Sequence, residues 1–246
     1  MPVQILSDPQ IIQPYLSDES KVTGQAQSIS FPECEAEIRE VLLAVRQAHQ
    51  TLTVQGARTG ITGGAVPTGG HILNLSKLNR ITGMAWDAER KCFLLSVQPG
   101  VQLNQLNKAI AEKSFDTTGW SAQAQSALRR FQQSGAWFLP ADITETTASI
   151  GGMVSTTPRG QNPTVMGLCA GMCLGYACCL PTARALACAA VSNLPKVGSL
   201  HCAWMTAVRS LGSCRLTACR RSRMLLGIMC MKTWILSIFS SARKGH

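Results

Sequence analysis

Alternating hydrophobic and polar positions early in the chain give way to a helical spacing of apolar residues. Ala26–Phe31 alternates and ends at Pro32, as a short strand does. Cys34–Gln50 follows, with apolar side chains every three or four residues and charged residues largely on the other side. The apolar stripe consists of Ile38, Val41, Leu42 and Val45. This pattern predicts a strand followed by an amphipathic helix with one buried face.

Short β-prone runs and longer helical ones continue along the next part of the chain. Pro99 and Gly100 end one run, and Gly119 and Gly135 punctuate later segments. The predicted strands are Thr51–Val54, Ile72–Leu75 and Phe93–Val97, and the predicted helices are Gln102–Lys113 and Ala122–Gln133. Strands and helices in this order predict an α/β or α+β architecture.

A glycine-rich loop, Gly56–Ala65, follows the second predicted strand and carries the first candidate chemistry. It reads Gly-Ala-Arg-Thr-Gly-Ile-Thr-Gly-Gly-Ala. Glycine permits positive φ and close approach, so such a backbone can turn its N–H groups inward and hold a pyrophosphate. Arg58 adds a positive charge. An ordinary tight connection explains the glycines equally well, because the loop matches neither the Gly-Lys-Ser/Thr phosphate loop nor the GxGxxG fingerprint.

A second group of small and hydroxyl residues lies within Trp137–Gly152. It runs into Gly151 and Gly152, which allows a flat ligand to lie against the backbone. Taken alone, Ser149–Gly152 predicts only a helix start or a turn. The two motifs in this order are more specific than either one.

Together with these motifs, four segments resemble the FAD-linked oxidases of the vanillyl-alcohol oxidase/p-cresol methylhydroxylase (PCMH) superfamily, in the branch of the glycolate oxidase flavoprotein and D-lactate dehydrogenase. They are Arg58–Ala65, Asn74–Ile81, Val97–Val101 and Asp142–Gly152. The resemblance covers about residues 1–157. It implies an α+β fold in which this part forms the N-terminal part of a PCMH-type FAD-binding domain.

The resemblance also implies FAD as the cofactor and assigns residues to it. The pyrophosphate is expected on Arg58, Thr59, Gly60, Ile61, Thr62, Gly63 and Gly64. The flavin side is expected to contact Pro140, Asp142, Thr144, Ala148, Ser149, Ile150, Gly151 and Gly152. Ala141 and Ile143 stand where the family has prolines, which loosens that loop without removing a backbone donor.

By the same resemblance, the substrate is a small 2-hydroxy acid, and other oxidase subunits are further partners. The substrate base and the carboxylate-binding residues are expected in a later cap domain that no part of this chain matches. We therefore name no catalytic residue and expect no metal site. His49, His71, Cys34 and Cys92 are predicted to be structural.

Charge divides the chain sharply near Thr157–Pro158. All 13 acidic residues of the chain lie in residues 1–157 beside 12 of its basic ones, which gives −1. Residues 158–246 hold 11 basic residues and no acidic one, which gives +11, and nine of the 11 cysteines. Folded domains normally mix both signs of charge. We therefore predict two differently made parts, 1–157 and a basic, cysteine-rich tail, 158–246, that does not fold natively.

Three physical interpretations of the tail are open. Its cysteines suit zinc poorly, because they form no CxxC pair and their spacing is irregular. Gly160–Ala183 is long enough to cross a bilayer but rich in small residues, and Met224–Ala242 carries Lys232 in its middle. The cysteines are Cys169, Cys173, Cys178, Cys179, Cys188, Cys202, Cys214, Cys219 and Cys230.

A basic nucleic-acid-binding tail is the third interpretation. Phosphate binding would follow from charge alone, although no recognised motif supports it. The basic patch comprises Arg215, Arg220, Arg221 and Arg223. A non-enzymatic protein that uses this tail at a membrane or on nucleic acid is thus the alternative function, whereas the preferred interpretation expects neither a nucleic-acid partner nor a membrane span.

The preferred interpretation is a frameshift. We suppose that each original codon is the last base of one printed codon plus the first two of the next. Met231-Lys232 then forces glutamate, Trp234-Ile235 forces aspartate, and Met229-Cys230 forces valine. With permissive choice of synonymous bases, Ala218–His246 becomes a string that ends in the family's Gly-Ser-Glu-Gly-Thr run. The shift also restores the missing carboxylates.

The N-terminus predicts no export signal. Met1–Gln4 is not a basic region before an apolar one, and the cysteines lack the even, regular spacing of secreted disulfide scaffolds. A reducing, cytoplasmic setting is therefore predicted. The chain is expected to be an FAD-binding fragment of a 2-hydroxy-acid dehydrogenase that is inactive as written.

Overall fold

The structure is a computed structural model that describes residues 3–139, 144–156, 173–179, 185–189 and 230–240. The first sheet of these residues is parallel, with strand order β1-β3-β2. Its strands are β1 (Ser28–Ser30), β2 (Leu52–Gln55) and β3 (His71–Asn74). Ile29 pairs with Ile72, and Val54 pairs with Leu73. The chain between β1 and β2 crosses over through a helix, because parallel neighbours cannot be joined by a tight turn.

A short N-terminal segment covers part of this sheet. Helix α1 (Pro9–Ile12) begins after Asp8, whose carboxylate accepts a hydrogen bond from the Gln10 N–H, and a 3-10 turn (Gln13–Tyr15) follows. Its buried residue Ile12 forms a small core with Ile29 and Ile72.

Helix α2 (Glu35–Gln47) packs on the same sheet through its predicted apolar stripe. The stripe is buried against Leu73, Leu75 and Leu78. Two glutamates in its first turn interact favourably with the helix dipole. The predicted strand and helix are thus confirmed, with the helix shorter than Cys34–Gln50.

The second sheet is antiparallel and follows the order β4-β5-β9-β7-β8, while β6 pairs with β9. Its strands are β4 (Ile81–Asp87), β5 (Cys92–Val97), β6 (Trp137–Phe138), β7 (Cys173–Cys179), β8 (Ala185–Ala189) and β9 (Cys230–Ser240). The helices of this part are α3 (Leu103–Glu112), α4 (Ala122–Gln133) and α5 (Ile150–Thr156). Together the two sheets confirm the α+β fold class.

An aromatic cluster centres the second core. The Phe93 ring meets Trp86, Phe131 and Trp137 edge to face, with centroids 4.8, 5.2 and 4.8 Å away. Helices α3 and α4 add Leu106 and other apolar side chains to this core. Aromatic pairs in this geometry stabilise a core beyond their buried area. Each sheet therefore has its own hydrophobic core.

Three segments of the tail join the second sheet through their backbone. Strand β9 pairs antiparallel with β5 and with β7, and β7 pairs with β8. Any β-prone segment can pair in this way, because every residue except proline carries both backbone groups. The other tail residues, and the proposed boundary at Thr157–Pro158, lie outside the described residues. The out-of-frame interpretation of the tail stays a prediction.

No helix in the described part of the chain combines the length and the apolar character needed to cross a membrane.

Candidate functional site

The glycine-rich loop leaves the first sheet at Gln55, the last residue of β2. The Gln55 side chain is fully buried, and its Nε2 donates to the carbonyl oxygens of Tyr15 and Ala65, at 2.8 and 2.7 Å. Its Oε1 accepts a longer hydrogen bond from Asn74 Nδ2, at 3.4 Å. Gln55 thus ties the end of the loop to its beginning. The sequence signal for it is a polar residue at the end of a strand, directly before the glycines.

Backbone donors in the middle of the loop have no acceptor among the described residues. At one end the Ala57 N–H donates to Ser149 Oγ, and at the other the Ala65 N–H donates to Asp18 Oδ2, both at 3.3 Å. Between them, no N–H group of residues 59–64 donates to a described residue. Consecutive free amides in a glycine-rich loop form a site suited to an anion.

Glycines occur in the loop for two different reasons. A Cβ at Gly56 would lie 2.3 Å from Ser149 Oγ, so the packing of the fold itself requires glycine there. A Cβ at Gly60 or Gly64 would meet nothing within 4 Å, and neither residue has a positive φ. Nothing in the described chain requires glycine at these two positions. The open space in front of them leaves room for a ligand to approach the backbone closely.

Residues 148–152 lie beside the loop, at the start of α5. The Leu103 N–H donates to the Ala148 carbonyl at 3.0 Å, and the Ile150 N–H donates to the Val101 carbonyl at 2.8 Å. Ser149 Oγ accepts from both the Ala57 and Gly152 N–H groups, at 3.3 Å each. The structure therefore brings the two sequence motifs together, although about 90 residues separate them.

Close packing holds this second segment in place. The Gly151 N–H donates to the Pro99 carbonyl at 2.9 Å, and a Cβ at Gly151 would lie 2.8 Å from Pro99 Cβ. A Cβ at Gly100 would lie 2.4 Å from the Leu75 carbonyl oxygen. Both glycines are needed where the two sheets meet, since any side chain would push the segments apart.

The other predicted site residues take different places. Thr144 is exposed, and Ile61, at the tip of the loop, is 78% exposed. Arg58 turns away from the open side of the loop, and its guanidinium contacts Tyr15 and nearby carbonyls. Pro140 and Asp142 lie outside the described residues.

Two titratable groups of this region illustrate opposite environments. A hydrogen bond from the Thr147 hydroxyl, with a second from the Thr147 N–H, lowers the pKa of the exposed Glu145 carboxyl. Burial lowers the pKa of His71 to about 4, and its two ring nitrogens lie 2.7 and 2.8 Å from the Ser28 and Ser30 hydroxyls. At neutral pH Glu145 is charged and His71 is an uncharged core residue, which agrees with its predicted structural role.

A separate open groove of about 730 Å³ lies between β4 and α4. Thr82, Trp86 and Arg130 are among its lining residues. The Arg130 guanidinium lies over the Trp86 ring, 4.2 Å from its centroid. None of the predicted site residues lines this groove, so it is distinct from the loop site. In addition, no cluster of three or more metal-ligating side chains occurs among the described residues.

Comparisons with known proteins give the loop a context. Residues 26–128 match the family model described as FAD binding domain. A D-lactate dehydrogenase from Anaerostipes hadrus is 30% identical over 169 residues, which are 68% of this chain and 30% of that protein. An uncharacterized FAD-linked oxidoreductase of Mycobacterium tuberculosis is 24% identical over 182 residues, 72% of this chain and 34% of that protein. The chain spans about a third of the length of these curated relatives.

Solved structures share the fold. An alkyldihydroxyacetonephosphate synthase superposes with a TM-score of 0.62 at 13% identity, over 96% of this chain and 39% of that one. A chitooligosaccharide oxidase gives a TM-score of 0.60 at 13% identity, over 97% of this chain and 41% of that one. Identity this low supports a common fold and says nothing of substrate.

Proposed function

This chain belongs, through residues 26–128, to the FAD-binding domain family of flavin-dependent oxidoreductases, and we propose that it derives from an enzyme that oxidises a small 2-hydroxy acid of the glycolate or D-lactate type. The D-lactate dehydrogenase relative supports this substrate class. Other oxidase subunits as partners, and the cytoplasmic setting, belong to the same proposal.

The observation that carries the proposal is the row of free amides at residues 59–64, beside two glycines that no neighbour in the described chain requires. Such a row suits the FAD pyrophosphate, because N–H groups donate to phosphate oxygens and glycine lets the phosphates approach the backbone. The positions proposed to hold it are Thr59–Gly64. Arg58 belongs to the same loop, although its side chain faces the other way.

The flavin side is proposed to lie along residues 144–152, with Pro140 and Asp142. Ala148–Gly152 is fixed against Pro99 and Val101 by backbone hydrogen bonds, so it offers a rigid surface to a flat ring system. Bound FAD supplies a two-electron acceptor for oxidation of the hydroxyl-bearing carbon. The residues of this chain bind and orient the cofactor. The groups that bind substrate and remove its hydroxyl proton are proposed to belong to the remainder of the longer ancestral protein.

We also propose that residues 158–246 are out of frame. The codon relation that restores the family pattern, the last base of one codon plus the first two of the next, corresponds to a net loss of one base. The missing carboxylates and the forced glutamate at Met231-Lys232 support it. On this proposal, the second half of the flavin-binding domain is scrambled, and apolar surface of the first half loses its proper cover.

The test is direct. The purified chain is expected to hold FAD weakly or not at all, and to reduce no dye with D-lactate or glycolate. Absorbance at flavin wavelengths and a dye-reduction assay measure both. A stoichiometric yellow preparation that reduces the dye with D-lactate would overturn the proposed inactivity. Steeply salt-dependent DNA binding by the chain would instead support the basic-patch function.

A further inference from the structure

Arg58 has an unusual backbone for its residue type. Its φ is +61°, in the left-handed region that disfavours side chains other than glycine. Such a conformation persists only where the surroundings enforce it, and it concentrates at functional sites. The contacts that enforce it here bear on the proposed cofactor loop, since Arg58 lies at the entrance of that loop.

Contacts to Arg58 come from one N-terminal segment, Pro14–Ser20, which we name the strap. An Arg58 guanidinium nitrogen donates to the Pro14 carbonyl and, at 3.3 Å, to the Ser17 carbonyl. The guanidinium lies 4.6 Å from the Tyr15 ring centroid. The Arg58 carbonyl accepts a hydrogen bond from the Glu19 N–H at 3.2 Å. Side chain and backbone are thus held by the same segment.

The strap also holds the far end of the loop. Asp18 Oδ2 accepts from the Ala65 N–H at 3.3 Å, and its Oδ1 accepts from the Ser20 N–H at 2.9 Å. Gln55 Nε2 bridges the Tyr15 and Ala65 carbonyls. Asp18 is only 7% exposed and Gln55 is fully buried, so solvent competes weakly for these bonds.

Anchors on the first sheet make the strap a fixed support. The Tyr15 ring packs edge to face on Phe31, with centroids 5.1 Å apart, directly after β1. The Gly24 N–H donates to the Leu16 carbonyl at 2.8 Å. The loop is therefore connected to the sheet by a second route, independent of strands β2 and β3.

We propose that the strap positions the cofactor loop, with Arg58 as its positioning residue rather than a ligand to the phosphates. This inference rests on the proposed function, because it takes residues 59–64 as the pyrophosphate site. By fixing Arg58 and Ala65 at the two ends, the strap holds the intervening N–H groups in place before a ligand arrives. Preorganised donors of this kind bind without a large ordering cost.

Hydrogen–deuterium exchange on the full chain without added FAD tests the proposal. The variants are Arg58→Lys, Arg58→Gly and Tyr15→Leu, with the exposed Arg46→Lys as the matched control. Loss of the fork and of the stacked ring is expected to speed exchange about tenfold at the Glu19 and Ala65 amides, through local opening. The amides of α2 are expected to remain as in the parent chain.

The outcomes separate the roles. Arg58→Gly relieves the left-handed backbone, so faster exchange in that variant shows that the side-chain contacts outweigh the relieved strain. If Tyr15→Leu and Arg58→Lys both exchange as Arg46→Lys does, the strap does not position the loop and the proposal is overturned. Should Arg58→Gly fail to fold by circular dichroism, Tyr15→Leu decides, since it leaves the loop sequence intact.

Addition of FAD keeps this test apart from the proposed function. On both proposals, FAD protects the amides of residues 59–64 in the parent chain, and protects them less in Tyr15→Leu. A parent chain that shows no protection at any FAD concentration contradicts retention of the cofactor by this chain, while the exchange measured without FAD still decides the strap. Equal FAD protection in the parent and in Tyr15→Leu, despite faster exchange without FAD, overturns the role of the strap in cofactor binding.

Discussion

Glycine has two separable roles in the loop, and single substitutions can tell them apart. Gly56→Ala places a Cβ 2.3 Å from Ser149 Oγ. We expect a loss of about 1–3 kcal/mol in the free energy of unfolding, the usual cost of overpacking. Denaturant unfolding followed by tryptophan fluorescence measures it.

The matched control is Gly60→Ala, because a Cβ there meets nothing within 4 Å. We expect its stability to stay within about 0.5 kcal/mol of the parent chain. Equal destabilisation by both substitutions would contradict the close packing of Gly56 on Ser149. In a chain with the full flavin-binding domain, the order is expected to reverse for FAD affinity at Gly60, where the cofactor is proposed to fill the space.

His71 predicts a pH dependence of stability. Its folded pKa is about 4, below the ordinary value of 6.5, because burial disfavours the charged ring. Between these values the unfolded chain binds the proton and the folded chain does not, so stability falls as pH drops from 6.5 to 4. The loss reaches about 3 kcal/mol for a shift of this size.

Urea unfolding in steps from about pH 7 to about pH 4 measures this loss, and His71→Gln is the comparison. The variant is expected to be less stable at neutral pH, since it lacks the ring that bridges Ser28 and Ser30. Its stability should nevertheless vary less across this window. Parallel pH curves for the two chains would be inconsistent with a buried, uncharged His71. The carboxylates with lowered pKa values, such as Asp87 and Asp116, titrate below their usual range and contribute at lower pH.

Individual side-chain directions are the part of the site that the sequence predicts least well. The loop composition predicts that Gly60–Gly64 presents its backbone, and the structure agrees. Sequence order groups Arg58 with these residues, yet its guanidinium faces Tyr15. That direction depends on a segment about 40 residues away along the chain, for which local sequence carries no signal.

Among the elements, helix α4 shows how strongly a periodic pattern determines a boundary. The sequence predicts Ala122–Gln133, and the structure has the same bounds. Ser121 lies directly before the helix, and its hydroxyl accepts from the Ala124 N–H at 3.2 Å. An N-cap serine and a clear apolar face suffice here, because both signals are local.

Strand β4 is the element that the pattern does not reveal. Gly83 interrupts the run, and the pairing with β5 shifts register between Ile81 and Gly83. Burial along the strand does not alternate, since Gly83 and Met84 are both buried. A strand with an irregularity of this kind loses the period of two on which recognition depends.

The attachment of α4 to the second sheet can be tested through Phe131. This ring is fully buried between Phe93 and Phe115, with centroids 5.2 and 5.9 Å away. Phe131→Ala is expected to cost about 3–5 kcal/mol, from lost burial and the cavity left behind. Arg129→Ala, on the exposed side of the same helix, should change stability by less than about 0.5 kcal/mol. A thermal unfolding comparison would contradict this packing if the two variants melted together.

At the scale of the whole molecule, the candidate site exists only where the two sheets meet. The loop leaves the first sheet, while residues 148–152 are held by Pro99 and Val101 of the second. The motif order implies this association by resemblance, but no local pattern predicts the hydrogen bond from Ala57 to Ser149. Only the packing of the two halves brings these residues together.

That dependence makes completeness of the second half decisive for the cofactor. Strand β9 pairs with both β5 and β7 and thus lies in the middle of the second sheet. If residues 158–246 are out of frame, the side chains of this strand were selected for no core. Backbone pairing survives such a change, whereas close-packed side-chain contacts do not. The defect is therefore expected in cofactor retention more than in strand content.

The nucleotide sequence provides the last prediction. The gene is expected to lack one base near Ser155–Gly160, and the codons after it are expected to spell the family string in the alternate frame. A stop codon in that frame within residues 158–246 would exclude the proposal outright. Reinstating one base should give a product with acidic residues in this region, including the glutamate encoded across Met231 and Lys232. That product is expected to bind FAD one to one where the printed chain does not, because the second sheet then regains a matched core. Flavin absorbance of the two purified chains, produced side by side, measures the difference.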